Sequence, residues 1–290
     1  MRHVMENKNL TLPDLQREFL RLRGLWRDQW IGLPAVAAGC LAQLGHPRDA
    51  VPGPGERAIA DCIAAVAQAI EDDGLRRSRA GNEPGYHNRL HIADTLSALA
   101  CLLLLTRQEG GRPLDARPDH AEWLQVLAML AHDFLHSGLV NQFPSQIELA
   151  SVDALRPLMQ AAGMADDDCR QAAELILMTD PARVREHHQR MSGTPFEPGS
   201  FACMAMLLQE SDILASVMPG IGVELTHALA GEWSRFSETM ARSLLSAGSR
   251  ITFLREFARF SSPASRRLGV PEAIAAEVAA LERVARDAPL

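Results

Sequence analysis

Apolar residues recur every three or four positions along most of this 290-residue chain and rarely alternate with polar ones. That pattern predicts helices and no convincing strand. A first helix begins near Leu12-Pro13-Asp14 and sets Leu15, Phe19, Leu22 and Trp26 at helical spacing. Pro34 opens a second, reaching about Leu44, and small apolar residues carry a third over 56–73. A fourth runs from Tyr86-His87-Asn88 to about Thr106, and a fifth spans 121–132, ended by the Ser137-Gly138 turn. Further helices are predicted at 147–162, 166–179, 200–217, 222–247, 251–260 and 271–286, with Asp166-Asp167-Asp168 placed to cap one of them. Glycine and proline make 45–55 the strongest linker, 81–85 a second and 110–118 a loop, while residues 1–12 read as frayed. The expectation is an all-α, compact multi-helix bundle of about twelve helices, without internal repeats. Residues 1–50 would form an N-terminal helical cap or extension, and 51–290 the main body.

Composition supports that class. Aromatic residues make up 5% of the chain, so the core must be built mostly from Leu, Ala, Val, Ile and Met, which suit packed helices. The formal charge of −7, with no run of Lys or Arg, argues against a nucleic-acid binder. It leaves room for a small phosphorylated substrate, because bound metals supply positive charge locally. Cys40, Cys62, Cys101, Cys169 and Cys203 are scattered, as expected of reduced thiols in a cytoplasmic protein. The polar first nine residues do not resemble a signal peptide, and the apolar run 98–105 is too short to span a bilayer, so no membrane partner is expected. Oligomeric state is not readable.

Three clusters carry metal-ligand residue types: His87 with His91, His132-Asp133 with His136, and Glu210-Ser211-Asp212, which interrupts an apolar stretch. His87 and His91 sit four apart, so on a helix they share a face. A buried helix ending in His-Asp is costly unless something pairs or coordinates those groups. Imidazoles with carboxylates suit Zn²⁺, Mn²⁺ or Fe, and a carboxylate with waters suits Mg²⁺ or Mn²⁺. Two such cations side by side can hold both oxygens of an in-line phosphoryl displacement.

In order, Tyr86-His87-Asn88, His91, Asp94, His132-Asp133, His136, Gly138, Asn141-Gln142-Phe143, Glu148-Leu149-Ala150, Thr179-Asp180 and Asp212 resemble the catalytic domain of class I 3′,5′-cyclic-nucleotide phosphodiesterases, of the HD-domain metal-hydrolase superfamily. The resemblance covers roughly residues 56–262. It implies that His91, His132, Asp133 and Asp212 hold the tighter of two divalent metals, Zn²⁺, with Asp133 bridging to Mg²⁺ or Mn²⁺; iron is compatible with the same donors. His87 is implied as the acid for the leaving O3′, Glu232 as the residue that orients it, and His136 as a neighbour of the water network. Tyr86, Asn141, Arg250 and Phe253 are implied around the substrate, and Glu148, Thr179 and Asp180 behind the ligands.

The chain also departs from the family. If Phe253 is the family's purine-facing aromatic, Arg250 stands where a base-reading glutamine is expected, and arginine donates but cannot accept. Ala215 replaces an asparagine after the metal aspartate, Ser137 replaces a proline, and a tyrosine and a later histidine pair are missing beyond Ala150. The expected reaction is metal-dependent hydrolysis of a phosphodiester in a small nucleotide, most consistent with a 3′,5′-cyclic nucleotide. A di-iron oxygenase of the HD superfamily and a non-catalytic nucleotide-sensing domain stay open as alternatives. Arg250 reads equally as a surface charge or as a group for a second anion. His187-His188, in a polar stretch with Arg183, Arg185, Glu186 and Arg190, are expected to be exposed.

Overall fold

The first helix, α1 (Leu12–Asp28), is set by a capping box in which Thr11 and Asp14 satisfy each other's backbone amides. A computed structural model describes residues 10–47, 50–53 and 55–287. The first nine residues of the frayed start and Pro54 of the linker lie outside that range, as do Arg48 and Asp49. Fourteen α-helices and no strand are present among the described residues. After α1 come α2 (Leu33–Gln43), α3 (Arg57–Arg79), α4 (Arg89–Glu109), α5 (His120–Ala131), α6 (Gln146–Ala161) and α7 (Asp166–Leu177). They are followed by α8 (Pro181–Met191), α9 (Phe201–Ile213), α10 (Ile221–Trp233), α11 (Glu238–Leu244), α12 (Ala247–Thr252), α13 (Pro263–Leu268) and α14 (Val270–Asp287). The all-α expectation holds.

α4 is the axis of the bundle. It packs against α1, α2, α5, α9 and α13, and it is buried on every side from His91 to Arg107. A helix apolar all round belongs in the middle of a core. By length and hydropathy it is also able to cross a membrane, but 94% of its apolar window is buried by other helices. α1 and α2 contribute Leu15, Phe19, Leu22, Leu33 and Val36 to the same hydrophobic core. Buried ion pairs fasten them further: Arg23 holds both oxygens of Asp94 on α4, at 3.1 and 2.9 Å. Arg107 joins Glu122 on α5, at 2.6 Å, and donates to the Leu44 carbonyl after α2.

Several predicted boundaries are corrected. The helix at 56–73 continues to Arg79, because Asp73, Arg76 and Arg77 pair along its end. The helix predicted at 222–247 is three, interrupted where Ser237 and Ser246 cap new starts. The one at 251–260 is the end of α12 followed by a π-helical turn, Phe253–Phe257. α8 and α13 are additional, and each starts at a capping Asp or Ser followed by proline.

Candidate metal centre and its cleft

Three helices of the bundle deliver imidazoles and carboxylates to one point. Asn88 caps α4, accepting from the backbone amides of Leu90 and His91, and so fixes the turn that carries His91 inward. α5 ends at His132, Asp133 follows it, and Asp212 sits in the last turn of α9. The donor atoms of His91, His132 and Asp133 all lie within 4.8 Å of one another. His91 Nε2 is 3.2 Å from Asp133 Oδ2 and 3.2 Å from Asp212 Oδ1; His132 Nε2 is 3.3 and 3.4 Å from the same oxygens.

Both Nε2 atoms are buried, and neither has a hydrogen-bond partner. For His132 the reason is chemical. Its Nδ1 lies 2.7 Å from the Met129 carbonyl, which can only accept, so Nδ1 carries a proton and Nε2 is the atom turned to the carboxylates. Burial pulls the ring's pKa down, but Asp133 and Asp212 raise it well above its ordinary value. A lone pair facing two carboxylate oxygens is repulsive unless a positive charge stands among them. Burial pulls the His91 pKa down, but the adjacent carboxylates of Asp133 and Asp212 push it up to about 9. Burial opposes the charge on Asp133 and Asp212, yet the histidines hold both carboxyls below their usual range. Proton and metal compete for such a place, and the donor set fits a divalent cation.

A second group lies beside the first. Glu232, buried on α10, accepts from the backbone amides of Tyr86 and His87 at 2.9 and 3.1 Å, and from His87 Nδ1 at 2.6 Å. Burial raises the Glu232 pKa, but the contacts with His87 hold it below the ordinary value. The His87 ring stacks on His136, centroids 3.7 Å apart. His136 Nδ1 accepts from the Gly138 amide at 2.9 Å, and burial together with His87 pulls its pKa down to about 4, so it is neutral. Gly138 is required twice: its φ is +79°, and a Cβ there would lie 3.0 Å from Glu232 Cγ. A cavity of about 30 Å³ between His87, Asp133 and His136 has room for water.

The helical reasoning for His87 is corrected: it precedes the cap residue Asn88 and is carried by a turn, although its ring still lies 5.9 Å from that of His91. The three acidic and polar residues 210–212 also separate. Glu210 turns away to Ser262 and Ser265, while Asp212 joins the metal cluster.

The remaining predicted residues fall in different places. Tyr86 covers the His91 ring at 4.8 Å and bonds Ser216 through its hydroxyl at 2.9 Å. Asn141 clamps its own loop, donating to Glu148 at 3.0 Å and accepting from the Ile147 amide at 2.8 Å; burial raises the Glu148 pKa. Thr179 donates to the Ile176 carbonyl, and Asp180 caps α8 while accepting from Ser145, whose φ is +55°. Phe253 lines a cleft of about 780 Å³ that opens beside Asp212. Arg250 is buried and paired with Glu277 on α14, which corrects its reading as a surface charge. His187 and His188 are likewise buried, bonding Gln209 and Ser261 at 2.7 Å each, because α8 turns them onto α9 and the chain beyond the π turn.

Two contributors were not visible from sequence. Arg77 donates to the carbonyls of Leu135 and His136, steadying a turn in which Leu135 has a φ of +62°. Ser216 anchors Tyr86. Neither stands in a distinctive pattern; Arg77 is one of several arginines at a helix end.

No family model and no curated relative matches this chain. Among solved structures it is similar to LmjPDEB1, a Leishmania class I cyclic-nucleotide phosphodiesterase solved in complex with IBMX. The TM-score is 0.56 and the identity 14%, over 94% of this chain and 98% of that one. At that identity the likeness establishes a shared all-helical fold.

Proposed function

We propose that this chain hydrolyses a phosphodiester of a small nucleotide with the help of divalent metal ions, a 3′,5′-cyclic nucleotide being the leading candidate. The observation that carries the reading is the convergence of two orphaned imidazole nitrogens with two carboxylates beside a paired His87 and Glu232. His91, His132, Asp133 and Asp212 would hold one cation, and a second would share Asp133. Such cations place positive charge at phosphoryl oxygens and lower the pKa of water.

The chain's own residues supply the proton. His87 keeps its Nδ1 hydrogen on Glu232, which leaves Nε2 as the position from which a proton is given to the departing ester oxygen. Glu232 holds the ring by one hydrogen bond to Nδ1, is itself anchored by the backbone amides of Tyr86 and His87, and balances the ring's charge while it is protonated. His136, neutral and stacked on His87, adds no competing positive charge. Tyr86 closes off one side of His91, and the cleft beside Asp212 receives the rest of the substrate. The similarity to a phosphodiesterase fold that takes up IBMX is consistent with a nucleotide-sized ligand there. A pure sensing domain has no use for the His87–Glu232 pair, which favours catalysis.

The test is turnover of cyclic AMP, cyclic GMP and bis(p-nitrophenyl) phosphate by protein supplied with Mn²⁺ or Mg²⁺, with Asp212→Ala alongside. Metal-dependent release of product that disappears in the variant is expected. Folded, metal-loaded protein that cleaves none of them would refute the proposal.

A further inference from the structure

The cleft beside Asp212 is far larger than a phosphoryl group needs, and its volume of about 780 Å³ suits a ligand of nucleotide size. Its walls are apolar: Ile213, Leu229, Trp233, Leu244, Phe253 and Phe257. Most of the polar side chains along it bond within the protein. Gln209 accepts from His187 at one end and donates to the Met178 carbonyl at the other, 2.7 and 2.6 Å. Thr179 donates to Ile176 and Ser249 to the Ser243 carbonyl. At the rim, Arg185 and Glu256 pair with each other at 2.5 Å.

Arg250 is the decisive case. It lines a side pocket of about 100 Å³ that shares Phe253, Leu229 and Leu244 with the cleft. Its Nε donates to Glu277 Oε1 at 2.9 Å and its Nη1 to the Ser216 carbonyl at 2.6 Å, while Nη2 makes no hydrogen bond but stands 2.8 Å from the same Glu277 oxygen, which balances its charge. Gly222 makes the room for this arrangement, since a Cβ there would come within 2.6 Å of Nη2. The guanidinium thus faces the protein. The groups left to a ligand are the Thr252 hydroxyl, which both donates and accepts, and the Trp233 indole N–H, a single donor, so neither reads a base edge by a paired donor and acceptor.

We infer that the group beyond the scissile phosphate is recognised by its apolar or aromatic face and not by the hydrogen-bonding edge of a particular base. The substrates are then phosphodiesters carrying a flat or apolar substituent, with the base identity, and even the base, dispensable. This rests on the phosphodiester reading above. The expected consequence is quantitative: apolar pockets discriminate between similar groups by only about 10–200-fold, whereas sites that hydrogen-bond a ligand edge reach about 10⁴–10⁵-fold.

The experiment has two arms on full-length protein supplied with Mn²⁺. In the first, kcat/KM is measured for the 3′,5′-cyclic forms of AMP, GMP, CMP and UMP and for bis(p-nitrophenyl) phosphate. All five are expected within about 200-fold of one another, and Phe253→Ala and Trp233→Ala to raise KM for every substrate by similar factors. In the second, Kd is measured by calorimetry for the four nucleoside 5′-monophosphates and phenyl phosphate, which requires no turnover. The same narrow band is expected. A base preference beyond that band in either arm, or no binding of any aromatic phosphate, overturns the inference. Base-indifferent binding without turnover leaves it standing and overturns the phosphodiester reading instead.

Discussion

His87 shows how much of the chemistry rests on single side chains. Its imidazole is aimed by one carboxylate, Glu232, which is itself held by two backbone amides. Replacing His87 by Ala would remove the proposed proton donor and leave the four proposed metal ligands in place. The expected result is a fall in kcat of about 10²–10⁴ with unchanged metal content, read by steady-state kinetics and elemental analysis. Equal loss of bound metal would contradict the division of roles. Gly138→Ala is expected to cost at least about 1 kcal/mol, from its left-handed backbone alone. Because the new methyl would press on Glu232, activity should fall more steeply than stability; chemical denaturation beside the kinetics checks this. The proposed ligands stand out in the sequence because two histidines and two aspartates lie within or at the end of apolar helices, where a charge needs a reason. Arg77 and Ser216 do not, since a backbone-holding arginine and a hydroxyl partner look like any surface residue until the turn is folded.

Helix starts explain most of what was and was not legible among the elements. α4, α5 and α9 announce themselves by long apolar runs. α8 and α13 carry no such run, and their only sequence marks are Asp180-Pro181 and Ser262-Pro263, a cap followed by a proline at the first helical position. Overlooking α8 also misplaced His187 and His188, because a polar segment buries a side when it is helical and packs against α9. The consequence is testable by pH. Burial, His187 and Arg259 pull the His188 pKa down to about 4, below its ordinary value of 6.5. In that interval the unfolded chain binds a proton that the folded chain refuses, so stability is full above about pH 6.5 and declines as pH falls toward 4. The shift corresponds to about 3 kcal/mol at most. His188→Gln should flatten this part of the stability profile, followed by urea denaturation from pH 7 to 4. An unchanged slope would mean that His188 does not titrate on unfolding. His136, lowered for the same reason of burial beside another imidazole, acts in the same direction in both proteins.

Across the molecule, α4, the end of α5 and α9 are bound to one another by core packing and bring two imidazoles and two carboxylates to one point, where a proton or a cation must stand between them. A cation there binds the folded chain and not the unfolded one. It stabilises by about 4 kcal/mol when its concentration is a thousand times its Kd. Chelation should therefore lower Tm by several degrees, with recovery on adding Zn²⁺ or Mn²⁺, as calorimetry can show; a Tm indifferent to chelator would speak against the site. The all-helical class was legible because helical periodicity runs through nearly every segment. Joining distant segments such as Arg23 to Asp94 and Arg250 to Glu277 was not, since pairing across the bundle leaves no local pattern. The most direct test of the account is anomalous diffraction from crystals grown with Zn²⁺ or Mn²⁺. A peak bounded by Nε2 of His91 and His132 and the carboxylates of Asp133 and Asp212 is the expected result. Anomalous peaks only elsewhere, or none while these four side chains keep their places, would contradict it.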